Sequence, residues 1–388
     1  MAIFLFLILL ISLILVHEFG HFFAAKKSGI RVDDFGIGFP PKLWSVKKGE
    51  TEYSLNAIPL GGFVKIFGEN GETNDIGDAS KNFSQKPKYI QGIVLLAGIA
   101  MNILFAWPLL SIAFFIGVPV SLSDSPSLPN AEIRNAALTI TEVLLDSPAE
   151  NAGLRAGDKI LAVSMSESEN LGGKKDALVS PSPEAFQEFV KTHSGNLITE
   201  IQRGTEIFSV SLIPQKGVLN SDRERGGEKS EKEEASETPA IGVALDTIGI
   251  AKFSFLGALT EGASRTVLLT KETAVGLAGF FADIFRGRAD FSQVSGPVGI
   301  VHFAGEAGAI GLSSLLILAA LISINLGLVN LLPIPALDGG RFFFLLIEAI
   351  RGSPINPKIA NSAHGIGFLL LILLILIATY HDIVKLVS

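Results

Sequence analysis

The 388-residue sequence contains no cysteine. Any folded part outside the cytoplasm must therefore hold together without disulfides, a thiol nucleophile is excluded, and metal ligands must be nitrogen or oxygen. Nor is the chain basic overall. Its formal charge of −7 sums acidic and basic residues gathered in a few polar segments, a distribution that does not suggest a nucleic-acid partner. A basic stretch is also missing ahead of the apolar run Ala2 to Val16, and the helical pattern continues past His21. That combination predicts a retained membrane helix and not a cleaved secretory signal.

What the chain has instead is apolarity in blocks, with 48% hydrophobic residues overall. Four blocks are long enough to span a bilayer: about Ala2 to Ala25, Ile90 to Leu122, Leu312 to Leu337 and Gly365 to Tyr380, the last short unless its flanks (362–385) join it. The loop at 26–89 carries Lys26, Lys27, Arg31, Lys42, Lys47 and Lys48, with Lys81, Lys86 and Lys88 close to the second block. Positive charge puts this loop in the cytoplasm, and four spans then put both termini and the long stretch after span two outside. Within the loop, Phe35 to Trp44 and Tyr53 to Phe67 read as strands around a turn at Lys47 to Gly49, a β-hairpin lying against the membrane.

Residues 136–214 are soluble in character. The run from Ser147-Pro148-Ala149-Glu150 through Gly153-Leu154-Arg155-Ala156-Gly157-Asp158 is similar to the signature turn of a PDZ domain. A helix at Pro183 to Thr192 and strands at Leu197 to Gln202 and Glu206 to Ile213 extend that likeness, and no second copy follows. Residues 218–240, dense in Glu, Lys, Arg, Gly and Ser, have too little apolar surface to order themselves. Residues 250–311 read as membrane-surface helices leading into span three (312–341). The expected fold is a polytopic α-helical membrane protein with four transmembrane helices, a membrane-associated β-hairpin and an inserted extracytoplasmic PDZ-like α+β domain.

His17-Glu18-Phe19-Gly20-His21 is an H-E-x-x-H pattern. On a helix, residues four apart stack on one face, so both imidazoles can share one Zn²⁺. Glu18 beside the first ligand can take a proton from water that the metal acidifies toward a pKa of about 7. Ionisable groups at a span's centre cost about 2.5–3.5 kcal/mol each on insertion scales, and a shared metal supplies the compensating partner. A catalytic zinc needs a third protein ligand, and the only acidic residue inside another span is Asp338, which topology puts level with the histidines. It follows two prolines, Pro333 and Pro335, and precedes Gly339 and Gly340, which should break the helix; broken helix at membrane depth is tolerated where it lines a cavity.

The H-E-F-G-H of the first span together with N-x-x-P-x-P-x-L-D-G over Asn330 to Gly339 resembles the site-2 protease family of intramembrane zinc metalloproteases, most closely the bacterial regulator of sigma-E protease type. The likeness extends to Ala57-Ile58-Pro59-Leu60-Gly61-Gly62-Phe63-Val64-Lys65 and to Ser295-Gly296-Pro297-Val298-Gly299-Ile300. It departs at Ile99, where the family usually has proline, and in having one PDZ unit where the best-known members have two. The resemblance implies His17, His21 and Asp338 as zinc ligands and Glu18 as base. Asn325 and Asn330, with Pro333 and Pro335, would hold substrate. It further implies a bacterial cytoplasmic membrane location and single-span membrane substrates such as anti-sigma factors or signal-peptide remnants. Two other readings are open at this stage: a membrane scaffold with a structural zinc, for which Glu18 has no use, and an ion transporter, for which no inverted repeat is found.

Overall fold

A computed structural model describes residues 2–69, 79–123, 131–166, 177–193, 195–216, 238–288, 295–353 and 355–387. Two compact units are formed, Met1–Ile116 with Phe255–Ser388, and Gly117–Ser254. Most of the charged insert expected at 218–240 lies outside the described residues.

The first unit opens with helix α1 (Ala2–Lys27), whose last turn carries Lys26 and Lys27 against the negative end of the helix dipole. Gly29 then takes a left-handed conformation (φ 66°), and Ile30 N–H returns to Ala25 O at 2.9 Å, closing the helix with a glycine cap. Strands β1 (Val32–Lys48) and β2 (Thr51–Ile66) follow, joined by a turn with Gly49 at φ 64°. Both strands bend. Residues 34–37 of β1 are flanked on one side by 52–55 and on the other by 62–65 of β2, while 42–48 return along 51–56. Residues 62–66 thus form one edge of the folded hairpin, and among the described residues no further strand pairs with that edge.

Helix α2 (Lys88–Ile116) ends at Gly117, whose φ of 119° no β-carbon residue adopts comfortably. Span two is accordingly shorter than the apolar run to Leu122, because Val118–Ser121 leaves as strand β3 of the second unit. That unit continues with β4 (Ala131–Val143), α3 (Pro148–Asn151), β5 (Lys159–Met165), β6 (Ala177–Val179), α4 (Pro183–Thr192), β7 (Leu197–Arg203), β8 (Glu206–Leu212) and β9 (Val243–Phe253). The sheet order is β3-β9-β4-β5-β7-β8, with β6 paired to β5. Strand β9 corrects the expected boundaries. Its last residues, 250–253, fall where the sequence reading expects surface helix, yet its register with β4 runs from Ala131↔Phe253 to Val143↔Val243. The domain therefore reaches well past 214. Ile140, Val163, Phe186, Leu197 and Ile201 fill its core. At the start of its Ser147–Asp158 turn Ser147 caps α3, its Oγ accepting from Glu150 N–H, while Glu150 Oε2 accepts from Asp146 N–H just before the cap. The turn ends on buried Asp158, forked by Arg203 with both contacts at 2.6 Å.

The first unit resumes with α5 (Phe255–Phe285), α6 (Pro297–Ile310), α7 (Leu312–Asn330), α8 (Asp338–Arg351) and α9 (Pro357–Val387). Phe4–Lys27, Lys88–Ile116, Leu312–Asn330 and Lys358–Lys385 are long and apolar enough to cross a membrane. The flanks of the fourth apolar block do join it. Span three stops at Asn330, short of the expected 341, because the Pro333 and Pro335 rings cannot continue an α-helix.

Helices α1 and α2 approach closely at Gly20 and Gly98: a β-carbon on Gly20 would stand 2.4 Å from Ala97 O. Small residues at a crossing let helix backbones meet in a membrane. On the other flank of α2, Gly327 of α7 faces Ile99 O and the Asn102 side chain. The helices carrying the two motifs are thus held against α2 between them.

Candidate metal centre

His17 and His21 project from one face of α1, their rings edge to face with centroids 4.9 Å apart. Their Nε2 atoms lie 3.2 Å from each other. Asp338 Oδ2 lies 3.0 Å from His17 Nε2 and 3.2 Å from His21 Nε2. Both histidines are buried, 7% and 8% exposed, and Asp338 is partly so. These three are the group among the described residues whose ligand atoms converge closely enough to hold one metal ion.

The donor set fits zinc. Imidazole nitrogens about 2.0–2.1 Å from a tetrahedral Zn²⁺ stand about 3.3 Å apart, and the nitrogens here are already at 3.2 Å. Three protein ligands leave a fourth position, as catalytic zinc sites require. A cavity of about 760 Å³ meets the triad, lined by Glu18, by Phe63 to Glu69 at the end of β2, and by Ala336 and Arg341. Glu18 follows His17 on α1, and its Cγ is 3.3 Å from where a Gly62 β-carbon would sit. The base candidate and the free edge of the hairpin therefore meet.

Each candidate ligand is positioned by something specific. His21 Nδ1 lies 2.8 Å from Val94 O on α2. The carbonyl can only accept, so Nδ1 carries the proton and the Nε2 lone pair faces the centre. The ring occupies space that a side chain at position 98 would fill, since a β-carbon on Gly98 would be 2.3 Å from His21 Nε2. His17 Nδ1 meets the Asn102 amide at 3.2 Å.

Asp338 starts α8, where a carboxylate is favoured by the exposed N–H groups of a helix N-terminus. The chain reaches it through a tight loop in which Ala336 has φ 91°, and Ala336 N–H donates to His364 Nδ1 on α9 at 2.9 Å. Gly339 and Gly340 each pack where a β-carbon would be 2.2 Å from a loop carbonyl, of Leu331 and Ile334 respectively. One turn on, Arg341 pairs with Glu69 beyond β2, tying the hairpin to the helix that carries Asp338. Burial pushes the Glu69 carboxyl above the ordinary glutamate range, and the Arg341 charge opposes this.

The expected substrate residues fall elsewhere. Asn325 is exposed and donates within its own helix to Leu321 O at 3.0 Å. Neither it nor Asn330 lines the cavity at the triad. Pro333 lines a separate apolar cavity of about 540 Å³ between α5 and the end of α7, and Pro335 O packs on Gly367 of α9. Four residues at or beside the site were not singled out from sequence: Gly98, Asn102, Glu69 and Arg341. For Asn102 a signal existed, a lone amide inside an apolar span.

The profile of Peptidase family M50 matches residues 5–374. A provisionally named zinc metalloprotease of Nostoc is 34% identical over 368 residues, covering 93% of this chain and 90% of the relative. One from Clostridium perfringens is 32% identical over 375 residues, covering 96% of each. The zinc metalloprotease RasP of Geobacillus kaustophilus is 29% identical over 463 residues, covering 98% of this chain and 97% of its own.

Proposed function

Because the chain belongs to peptidase family M50, the site-2 protease family, we propose that it hydrolyses peptide bonds within or beside transmembrane segments of other membrane proteins. It is a multi-pass membrane zinc metalloprotease. In the proposed assignment His17, His21 and Asp338 hold the metal and Glu18 is the general base. The observation that carries this reading is their convergence on one cavity among apolar helices. A structural zinc has no use for Glu18 there.

When bound, zinc supplies Lewis-acid activation of water and of the scissile carbonyl. Glu18 takes the proton from the attacking water and hands it to the leaving amine. A helical substrate hides its carbonyls in its own hydrogen bonds, and unwinding it in lipid leaves amides unsatisfied at several kcal/mol each, about the cost of a bare polar group in hydrocarbon. The edge at 62–66 answers that cost by accepting the extended segment as an added strand, which runs past Glu18. Asn325 and Asn330, on the last turns of α7, offer further amide partners away from the triad cavity, and Pro333 and Pro335 keep the chain that follows them out of helical form.

The lysine bias of the 26–89 loop supports an active site toward the cytoplasmic half of the bacterial inner membrane. The second unit, joining spans two and three, then lies on the opposite side as a PDZ-like module, excluding substrates with large outer domains or capturing a newly exposed terminus. A cavity of about 220 Å³ between α4 and the start of β9, lined by Phe186, Val190, Ile241 and Val243, favours capture. Anti-sigma factors trimmed outside the membrane and signal-peptide remnants are the proposed substrate classes. The test of the reading is chelator-sensitive cleavage of a transmembrane peptide by purified protein, lost in Glu18→Gln.

A further inference from the structure

Asn102 is fully buried in α2. Its Nδ2 lies 3.2 Å from His17 Nδ1, while its Oδ1 is buried and receives no donor among the described residues. A buried amide oxygen left without a donor is costly, and among the described residues no other contact holds the amide in that sense. A half-turn about χ2 exchanges the two ends and brings the oxygen to His17 Nδ1. The choice decides the histidine's tautomer. With nitrogen toward it, Nδ1 must be the acceptor and the ring proton sits on Nε2. With oxygen toward it, Nδ1 carries the proton and the Nε2 lone pair faces His21 Nε2 and Asp338 Oδ2.

We propose that Asn102 is the positioning residue for His17, its amide oxygen accepting the Nδ1 proton and so presenting Nε2 as a metal ligand. The inference rests on the assignment of His17 to the zinc. It gives both imidazoles the same arrangement, each held from α2. Val94 O serves His21 at 2.8 Å, and Asn102 serves His17. The backbone that carries the amide is itself held in register: Ser323 Oγ of α7 donates to the Asn102 main-chain carbonyl at 2.7 Å. Gly327 leaves room beside it, since a β-carbon there would already touch the Asn102 β-carbon at 3.5 Å. Asn102 is thus the point where α7, whose C-terminal end leads into the Asp338 loop, sets the orientation of a ligand on α1.

The test uses full-length protein purified in detergent, with two readouts that need no substrate: zinc retention against a chelator, and the visible absorption of the Co²⁺-substituted protein. Loss of an orienting partner costs metal affinity roughly 10–100-fold, so Asn102→Leu, close in volume but without an acceptor, should lose zinc by that factor and shift the cobalt bands. Asn102→Asp keeps the oxygen and should restore both toward wild type. A space-filling role predicts the reverse order, because leucine preserves packing whereas aspartate brings a charge into a buried site; that order overturns the proposal. Where the leucine variant fails to fold, Asn102→Ala is read in its place. His17→Ala separates the two levels of inference. If it keeps zinc as wild type does, the assignment of His17 fails and this proposal with it. If it loses zinc while Asn102→Leu does not, only the role of Asn102 is overturned.

Discussion

At the scale of single residues, the site works by exclusion as much as by contact. Gly98 contributes no functional group, yet a β-carbon there would lie 2.3 Å from His21 Nε2. Gly98→Ala should therefore displace the ring and lower zinc affinity by about the 10–100-fold typical of a disturbed ligand, read as metal content after dialysis. Glu18→Gln is the complementary case. It keeps the shape of the side chain and removes its basicity, so metal content should be unchanged while kcat falls by about 10²–10⁴-fold, the usual worth of a general base. Parallel loss of zinc would mean that Glu18 is structural. The meeting of His17 and His21 was legible in the sequence because it follows from spacing along one helix. The packing of Gly98 and Asn102 against them was not, because it exists only across the contact of α1 with α2.

At the scale of elements, the break between α7 and α8 follows directly from chemistry the sequence displays. Two prolines stop one helix, and Asp338 opens the next where its carboxylate is favoured. The hairpin was visible as two strand-like runs, but not its folding into an edge beside Glu18, since the bends in β1 and β2 show only in the register. The Glu69 pair with Arg341 joins that edge to α8. Because burial raises the folded-state pKa of Glu69 above the ordinary glutamate range, the folded protein takes up this proton more readily than the unfolded chain. The stability of wild type relative to Glu69→Gln should then rise as pH falls through the raised value and level off below about 4.5, the unfolded value. Thermal melts of the two proteins in detergent across that window measure the difference. A fall with acidification would mean that the attraction of Arg341 outweighs burial.

At the scale of the whole molecule, the apolar blocks announced the spans, whereas the extent of the second unit stayed hidden. Strand β9 returns to β4 from beyond the charged insert, a long-range pairing that no local pattern displays. The proposed sidedness is open to direct test, because the absence of cysteine makes every introduced thiol unique. Lys47→Cys should react only with membrane-permeant reagents in intact cells, and Lys191→Cys with impermeant ones; the opposite pattern inverts the topology. Replacing Gly117–Ser254 by a flexible linker should preserve cleavage of a short membrane peptide and change selectivity for longer substrates, read as the ratio of the two rates. An unchanged ratio would remove the selective role. The central claim, that four side chains from two separated motifs form one hydrolytic zinc site inside the membrane, is tested most directly by incubating a model transmembrane peptide with purified protein in lipid. Wild type should cleave within the apolar segment, stop when a chelator removes zinc and resume when zinc returns, while Glu18→Gln retains zinc and leaves the peptide intact. Cleavage that persists in the chelator-treated protein, or in the zinc-loaded Glu18→Gln variant at the wild-type rate, would contradict it.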